Sequence, residues 1–305
     1  CYVGAVLEHI EECGIHSGDS ACCTPPFSLS DKLVERVCEI TRQLALATGV
    51  RGLMNVQYAV KDNTVSVIEM NPRASRTVPF SSKATGVPLA KYAALIMQGA
   101  KIADLNLPAS NRELGYYACK EAVMPFGRFP GADVVLGPEM KSTGEVMGIG
   151  RSFPEAYAKT QLAIDYSLPT EGTCFISVND RDKRNVIPIA RDLSNLGFKI
   201  VSTSGTAKAL RAAGIEVEVA RRMSEMHPNI GDVIAAGGIQ FMINTPGGAG
   251  TRNDGFKLRS AAVRHSLCYV TTLSAASAFV SAIQLVQRSK LEAFALQDLA
   301  SMGEE

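Results

Sequence analysis

The amino-terminal half of the chain is organised around the stretch Asn55-Val-Gln-Tyr-Ala-Val-Lys-Asp-Asn-Thr-Val-Ser-Val-Ile-Glu-Met-Asn71. Alternating apolar side chains on both sides of Asp62-Asn63 predict two β-strands joined by a tight turn. An odd loop of residues 62–64 would place Gln57 opposite Glu69, and directly paired residues share a face. A two-residue turn would set Glu69 among apolar side chains, where an unpaired carboxylate is costly. We therefore predict the odd loop.

This register gives the hairpin one apolar face and one polar end. The apolar face comprises Met54, Val56, Tyr58, Val60, Ile68 and Met70, and the polar end comprises Asn55, Gln57, Glu69 and Asn71, with Arg73 and Arg76 just beyond. Mg²⁺ suits one or two carboxylates with phosphate and water completing its shell, and arginine forks suit phosphate oxygens. The residues alone also fit a half-buried hairpin with a solvated polar end.

Composition is that of an ordinary globular protein. The chain has 305 residues, 46% hydrophobic and 20% charged, enough for two domains with separate cores. A formal net charge of +1 gives no indication of nucleic acid or a membrane as partner. Eight cysteines without a Cys-x-x-Cys pair favour reduced thiols and a cytoplasmic location. Because the chain begins at Cys1 inside an apolar run, we expect it to be cut from a longer protein.

The remaining pattern predicts an irregular first part and a regular second part. In the first, we predict strands at 3–10 and 116–123, helices at 31–48, 89–98 and 153–163, and a Gly- and Pro-rich loop at 126–151 that wraps a site or a domain contact. In the second, we predict strands at 174–178, 198–203, 215–219, 239–244 and 267–272, and helices near 185–195, 206–213, 229–236, 256–265 and 274–287. Five βα units predict a parallel sheet covered on both faces.

Ligands of such sheets bind at the carboxyl ends of the strands. Three features fall at that edge: Ser202-Thr-Ser-Gly-Thr206, which opens a helix with free N–H groups suited to phosphate, the segment Asn244–Gly250, and Lys183. Each of them alone is also explained by turn and cap chemistry.

Several long blocks resemble the carboxyl-terminal third of the large subunit of carbamoyl-phosphate synthetase. They are His9-Ile-Glu11, His16-Ser-Gly-Asp-Ser20, Gly52-Leu-Met-Asn-Val-Gln57, Ile68-Glu-Met-Asn-Pro-Arg-Ala-Ser-Arg-Thr-Val-Pro-Phe80, Lys83-Ala-Thr-Gly-Val-Pro88 and Leu136-Gly-Pro-Glu-Met-Lys-Ser-Thr-Gly-Glu-Val-Met-Gly148. The resemblance implies an α/β and α+β protein. Residues 1–165 would be the carboxyl-terminal portion of an ATP-grasp domain that phosphorylates carbamate, and residues 166–305 a five-stranded parallel, doubly wound regulatory domain of methylglyoxal-synthase-like fold.

The resemblance also implies roles in an ATP site. Gln57, Glu69 and Asn71 would hold Mg²⁺ or Mn²⁺, Arg73 and Arg76 would face the transferred phosphate and the carbamate, His16 and Ser17 would contact the nucleotide, and His9 would lie near a K⁺ ion. Phosphoryl transfer needs positioning and charge neutralisation more than covalent help.

Two effector sites follow from the same resemblance. Ornithine would bind near Glu11, Asp19, Glu121, Tyr269 and Thr271, and UMP or IMP near Ser177, Lys183, Thr203, Thr206, Arg222, Asn244 and Thr245. The chain departs from the family where Arg222 replaces a lysine, Pro246 a threonine, and Ala249-Gly250 a basic pair. We expect these changes to weaken binding of a nucleoside monophosphate.

The implied enzyme is a glutamine-hydrolysing, ATP-dependent ligase of arginine and pyrimidine biosynthesis. Its partners would be a glutaminase small subunit and the remainder of the large subunit. We expect the isolated chain to be inactive, because the family's loop over the phosphates lies upstream. Alternative interpretations are an effector-binding module without catalysis of its own, an unrelated ATP-grasp ligase, or a methylglyoxal synthase.

Overall fold

The computed structural model describes residues 1–109, 114–129, 132–247 and 252–299. The strands of the first part are β1 (Glu8–His9), β2 (Cys22–Thr24), β3 (Asn55–Lys61), β4 (Thr64–Asn71), β5 (Tyr117–Val123) and β6 (Gly144–Gly150). Its helices are α1 (Asp31–Thr48), α2 (Thr77–Thr85), α3 (Leu89–Met97) and α4 (Phe153–Ala163). Strands β1-β2-β5-β6 form an antiparallel sheet in that order, and β3 and β4 form a separate hairpin.

Helix α1 confirms the predicted bounds and supports the hairpin. It ends at Gly49, whose φ of 65° is a left-handed conformation that glycine adopts without strain. Ser30 precedes the helix but makes no side-chain capping bond. Tyr58 and Val65 of the hairpin pack against the apolar residues of α1, and the Tyr58 hydroxyl lies 2.7 Å from Thr41 Oγ1.

The predicted odd loop is wrong, but the predicted pairing of Gln57 with Glu69 is confirmed. The turn has two residues, Asp62 and Asn63, both with positive φ, as hairpin turns of type I′ require. A bulge after Gln57 restores the register, because Ile68 becomes an extra residue in β4. Gln57 therefore pairs with Glu69. Ile68 is 50% exposed and does not belong to the apolar face predicted for it.

Strand β6 lies inside the stretch that we predicted to be loop. Its glycines allow α4 to approach the sheet closely rather than making the backbone turn. A Cβ on Gly148 would lie 2.1 Å from the Ala156 carbonyl oxygen, and one on Gly150 would lie 2.7 Å from the Ala156 nitrogen. The sequence pattern does not predict α2, where Pro79 occupies the first turn and is tolerated there. The predicted strand at 3–10 is paired only over β1.

The second part confirms the five predicted βα units. Its strands are β7 (Thr173–Ser177), β8 (Lys199–Ser202), β9 (Glu218–Val219), β10 (Phe241–Asn244) and β11 (Cys268–Val270), and its helices are α5 (Val186–Asn195), α6 (Ser204–Ala212), α7 (Ile230–Ala235), α8 (Arg252–Arg264) and α9 (Leu273–Arg288). All strand pairs are parallel, in the order β11-β10-β7-β8-β9. No helix within the described ranges has the length and apolar character needed to cross a membrane.

Alternate residues of the central strands face opposite layers of helices. Cys174 and Ile176 belong to the cluster that contains α5 and α9, whereas Phe175 belongs to the cluster that contains α7 and α8. The first cluster continues through α4 to Ile10 in the antiparallel part. One apolar cluster thus spans both parts of the chain, and the predicted domain boundary at 165/166 stays a prediction.

Candidate functional site

The bulged hairpin brings one carboxylate and two amides together. Gln57 Nε2 lies 2.6 Å from Glu69 Oε1, and Asn71 Nδ2 lies 2.9 Å from the same oxygen. Gln57 Nε2 also donates to Ser17 Oγ at 3.2 Å. The predicted metal ligands and one predicted nucleotide residue therefore form a continuous polar cluster, which we call the hairpin cluster (Ser17, Gln57, Glu69 and Asn71).

The donor set of the hairpin cluster fits a cation that is only partly held by protein. The described part of the chain contains no group of three His, Cys, Asp or Glu side chains that could hold a metal ion. Glu69 is exposed and supplies the single carboxylate, and half a turn of either amide would present its oxygen instead of its nitrogen. Such a site suits Mg²⁺ or Mn²⁺, which would take the rest of its shell from phosphate and water.

The loop of residues 16–20 is held in place by polar contacts within itself and with two distant segments of the chain. His16 Nδ1 accepts a hydrogen bond from the Gly18 nitrogen at 3.0 Å, and the His16 nitrogen donates to the Gly137 carbonyl at 2.8 Å. Lys120 is fully buried, and its Nζ donates to the Ser17 carbonyl at 3.2 Å. His9 lies on β1, opposite Cys22, and burial, followed by the charge of Lys120, lowers the pKa of its imidazole to about 4.

The two predicted catalytic arginines differ in how firmly they are held. Arg76 Nη1 donates to the Ser142 carbonyl at 3.3 Å and to Ser142 Oγ at 3.2 Å. Among the described residues, the Arg73 guanidinium donates only to the neighbouring Ala74 carbonyl, at 3.1 Å. Both residues are exposed, so both guanidinium groups can reach a ligand. Only Arg76 has its position fixed by a distant segment of the chain.

A buried charge pair that the sequence does not predict lies near these arginines. Lys120 Nζ lies 4.0 Å from Glu145 Oε2, an oxygen that is buried and has no hydrogen-bond partner among the described residues. Burial raises the pKa of Glu145 above its usual range, against the effect of Lys120 and Arg76. The local sequence of β5, in which Glu121 follows Lys120, does not indicate that the lysine is buried, and a lysine with no exposure is unusual unless it is paired.

Two carboxylates predicted to bind ornithine lie side by side. Glu11 Oε2 accepts from the Ala21 nitrogen at 2.7 Å, and Glu121 Oε2 accepts from Gln161 Nε2 at 2.8 Å. Burial, and then repulsion by Glu121, raises the pKa of Glu11 to about 8, and burial raises the pKa of Glu121 to about 7. Each residue keeps some exposed surface, but the carboxylates themselves are enclosed by protein. The pair therefore retains a proton at neutral pH.

The other predicted ornithine residues are placed differently. The ring of Tyr269 meets that of Tyr166 edge to face at 6.4 Å, and burial raises the pKa of Tyr269 to about 12. Thr271 follows two residues later and is partly exposed. The carboxylate of Asp19 accepts from the backbone nitrogens of Lys141 and Ser142, at 2.7 and 2.9 Å. Asp19 thus holds the segment 141–142 rather than joining the acid pair.

All seven residues predicted to bind a nucleotide line one cavity of about 340 Å³, which we call the carboxyl-terminal pocket: Ser177, Lys183, Thr203, Thr206, Arg222, Asn244 and Thr245. The pocket lies where β7, β8 and β10 end and α6 begins. Lys183 Nζ lies 2.5 Å from Asp180 Oδ1 and beside Gly205 at the start of α6. A lysine over a helix amino terminus favours a phosphate group.

The departures from the family pattern fall on the same pocket. Arg222 lines it, while its backbone nitrogen donates to Glu225 Oε2 at 2.7 Å. The Pro246 carbonyl accepts from Asn179 Nδ2 at 3.2 Å. Ala249-Gly250 lie outside the described residues. Arg222 preserves a positive charge at the wall, whereas Pro246 contributes no hydroxyl.

Comparisons with known proteins match two protein families along the chain. A model of the carbamoyl-phosphate synthase L chain, ATP binding domain, matches residues 5–105, and a model of the MGS-like domain matches residues 185–271. Carbamoyl phosphate synthase large chains from Synechocystis and Methanothermobacter thermautotrophicus are 50% and 49% identical over 97% and 99% of this chain. A relative from Methanopyrus kandleri, described as the large chain's C-terminal section, is 49% identical over 97% of the chain.

Coverage of the relatives is partial. The chain spans 27% and 28% of the first two relatives and 56% of the third. A methylglyoxal synthase from Elizabethkingia anophelis aligns with 37% of this chain and 79% of its own at 19% identity, with a TM-score of 0.30. That score is too low to support an argument, and the strand order and the family match carry the assignment of the second part.

The sequence matches and the architecture together define a class of protein in which a carbamoyl-phosphate-synthase ATP-binding domain is joined to a methylglyoxal-synthase-like domain. The chain belongs to the family of carbamoyl phosphate synthase large chains and corresponds to their carboxyl-terminal portion. The resemblance seen in the sequence blocks is thereby confirmed.

Proposed function

We propose that the chain supplies one wall of the ATP site at which carbamate is phosphorylated to carbamoyl phosphate. The observation that carries this proposal is the hairpin cluster, in which Glu69 joins Gln57 and Asn71 next to Ser17. Arg76 and Arg73 follow the same strand and supply positive charge beside that cluster. A cation ligand set adjacent to phosphate ligands is the arrangement that phosphoryl transfer requires.

In this role the side chains position the reacting groups and neutralise negative charge, and they form no covalent bond to the substrates. ATP would supply the transferable phosphoryl group, and a bound Mg²⁺ or Mn²⁺ would screen its charge. Glu69 and the two amides would hold that metal ion, and Arg76, braced by Ser142, would neutralise charge on the transferred group. The exposed Arg73 is available for carbamate. His16 and Ser17 hold the loop that faces the nucleotide.

A monovalent cation fits near β1. Ser20 Oγ is buried and has no hydrogen-bond partner among the described residues, which is unusual for a hydroxyl. Ser20 precedes Ala21, whose nitrogen donates to the Glu11 carboxylate, and His9 pairs with Cys22, two residues after Ser20. A K⁺ ion near these groups would satisfy Ser20 and lower the repulsion within the acid pair.

The acid pair and the carboxyl-terminal pocket support regulation by small molecules. An ammonium group would stabilise the ionised forms of Glu11 and Glu121, which suits ornithine. The pocket of about 340 Å³, with Lys183 at the start of α6, suits the phosphate of UMP or IMP. This pocket also supports the second candidate function, in which the chain acts mainly as an effector-binding module.

The whole enzyme would be a cytoplasmic, glutamine-hydrolysing ligase that feeds arginine and pyrimidine biosynthesis. Its other components would be a glutaminase subunit and the rest of the large chain. The remainder of the nucleotide cleft would come from that rest, so we expect no synthesis by residues 1–305 alone.

The test is phosphoryl transfer by a full-length large chain that carries this segment, assembled with its glutaminase subunit. We expect Glu69→Gln to lower the rate of ATP formation from ADP and carbamoyl phosphate by roughly 100-fold, since removing one charge-stabilising group typically costs 10²–10³. Glu139→Gln is the control, because Glu139 is an exposed acid in the segment that follows β5. Equal rates for the two variants would refute the assignment of Glu69.

A further inference from the structure

An ion pair joins the antiparallel part of the protein to the wall of the carboxyl-terminal pocket. Arg259 Nε and Nη2 each lie 3.0 Å from an oxygen of Asp133, a bidentate contact between residues 126 positions apart. The side chain of Arg259 is 4% exposed and that of Asp133 is 39% exposed. Burial alone would raise the pKa of Asp133, but the Arg259 guanidinium outweighs it and holds this pKa below its usual value.

Arg259 also lies directly behind the pocket. Its Nη1 donates to Asn244 Oδ1 at 2.9 Å, while Asn244 Nδ2 donates to the Ser177 carbonyl at 2.9 Å. A Cβ on Gly255, another residue of the pocket wall, would lie 2.9 Å from the same Nη1. An anion in the pocket would therefore compete with Asp133 for the Arg259 guanidinium group. Because this group is buried, solvent screens its electrostatic interactions only weakly.

From Asp133, hydrogen bonds lead to a predicted catalytic arginine along residues 133–142, which we call the strap. Lys141 Nζ donates to the carbonyls of Asp133 and Val135, at 3.0 and 2.8 Å. The backbone nitrogens of Lys141 and Ser142 donate to Asp19. Ser142 in turn accepts from Arg76 through both its carbonyl and its hydroxyl. Every link of the strap is a direct contact.

We propose that Asp133 and Arg259 are positioning residues that couple occupancy of the carboxyl-terminal pocket to the placement of Arg76 through the strap. An anionic ligand draws Arg259 toward the pocket and loosens its hold on Asp133. The strap then shifts at Lys141 and Ser142, and the support of Arg76 changes with it. This inference rests on the proposed function, because it gives the route by which a nucleotide effector alters the phosphorylation site.

The coupling is measured in the full-length large chain assembled with its glutaminase subunit. The apparent KM for ADP in ATP formation from carbamoyl phosphate is compared with and without saturating UMP, and separately IMP and inorganic phosphate. Calorimetry measures binding of each probe directly. The variants are Asp133→Asn and Arg259→Lys, and Glu139→Gln is the matched control, since it removes a charge from the same strap at an exposed position.

We expect Asp133→Asn to keep probe binding within about threefold and the KM without effector within about twofold, while the effector-induced change in KM disappears. Arg259→Lys, which keeps the charge but not the bidentate fork, should retain part of that change. Glu139→Gln should behave like the unmodified enzyme. Hydrogen exchange at Lys141 and Ser142 should respond to the probe in the unmodified enzyme and not in Asp133→Asn.

Failure of the coupling and failure of the regulatory pocket give different experimental results. If the unmodified enzyme binds a probe and shifts its KM, and Asp133→Asn shifts by the same factor, the coupling through the strap is refuted while the proposed function stands. If the unmodified enzyme binds none of the probes, the regulatory pocket itself is refuted, and the coupling with it. A purely structural role for Asp133 would lower stability and basal rate together without abolishing the effector response, which would also contradict the proposal.

Discussion

Replacing Gly148 by alanine tests the close packing of α4 on β6. The added Cβ would lie 2.1 Å from the Ala156 carbonyl oxygen and 2.8 Å from the Thr160 nitrogen, whereas ordinary contact begins at 3.4 Å. Both obstructing atoms belong to the backbone of α4, so the helix must withdraw by more than an ångström. Overpacking of this kind costs about 3 kcal/mol, and α4 carries Gln161, which binds Glu121.

Urea unfolding followed by circular dichroism measures this effect as a shift of the midpoint. With a dependence of about 3 kcal/mol per M of urea, the midpoint should fall by about 1 M. Gly144→Ala is the control on the same strand, because its Cβ would meet only Val123 at 3.9 Å, an ordinary contact. Equal midpoints for the two variants would show that α4 does not rest on β6 as described.

Two further perturbations address the buried acids. Asp19→Ala leaves the backbone nitrogens of Lys141 and Ser142 in the strap without their buried acceptor. We therefore expect the free energy of unfolding, measured with urea, to fall by about 3–5 kcal/mol. Asp19→Asn should lower it by an intermediate amount. The pKa of Glu11 is about 8 in the folded state, against an ordinary value of 4.5. Between these two pH values the folded state binds more protons than the unfolded state, so the free energy of unfolding falls as the pH rises from 5 to 8. Glu11→Gln should lose less stability over that range in thermal unfolding, and an equal loss would contradict the raised pKa.

Periodic, local patterns in the sequence predicted most of the elements. Helix α1 and the parallel sheet follow from apolar spacing and from caps such as Gly49, which act within a few residues. The pairing of Gln57 with Glu69 was also predictable, because one register alone kept the carboxylate away from apolar neighbours. The bulge at Ile68 was not, since a bulge and an odd loop satisfy the same constraint.

Contacts between distant segments account for what the sequence did not reveal. The sequence around Gly148 is typical of a loop, and the need for glycine at this position comes from its contact with α4. The burial of Lys120 depends on the loop at Ser17, which lies 103 residues earlier in the chain. Arg259 and Asp133 are separated by 126 residues, and nothing in their local sequence marks them as partners. Sequence motifs predicted the residues that form the hairpin cluster and line the carboxyl-terminal pocket, but not the distant residues that hold them in place.

In the proposed function, Glu69 and its neighbouring amides hold the divalent cation of a nucleotide. Electron paramagnetic resonance of free Mn²⁺, titrated in the presence of ADP into the full-length large chain and its Glu69→Gln variant, measures this binding. We expect the variant to bind the Mn²⁺–ADP of this site at least tenfold more weakly, and Glu139→Gln to bind it unchanged. Equal affinity in all three proteins would contradict a metal role for the hairpin cluster.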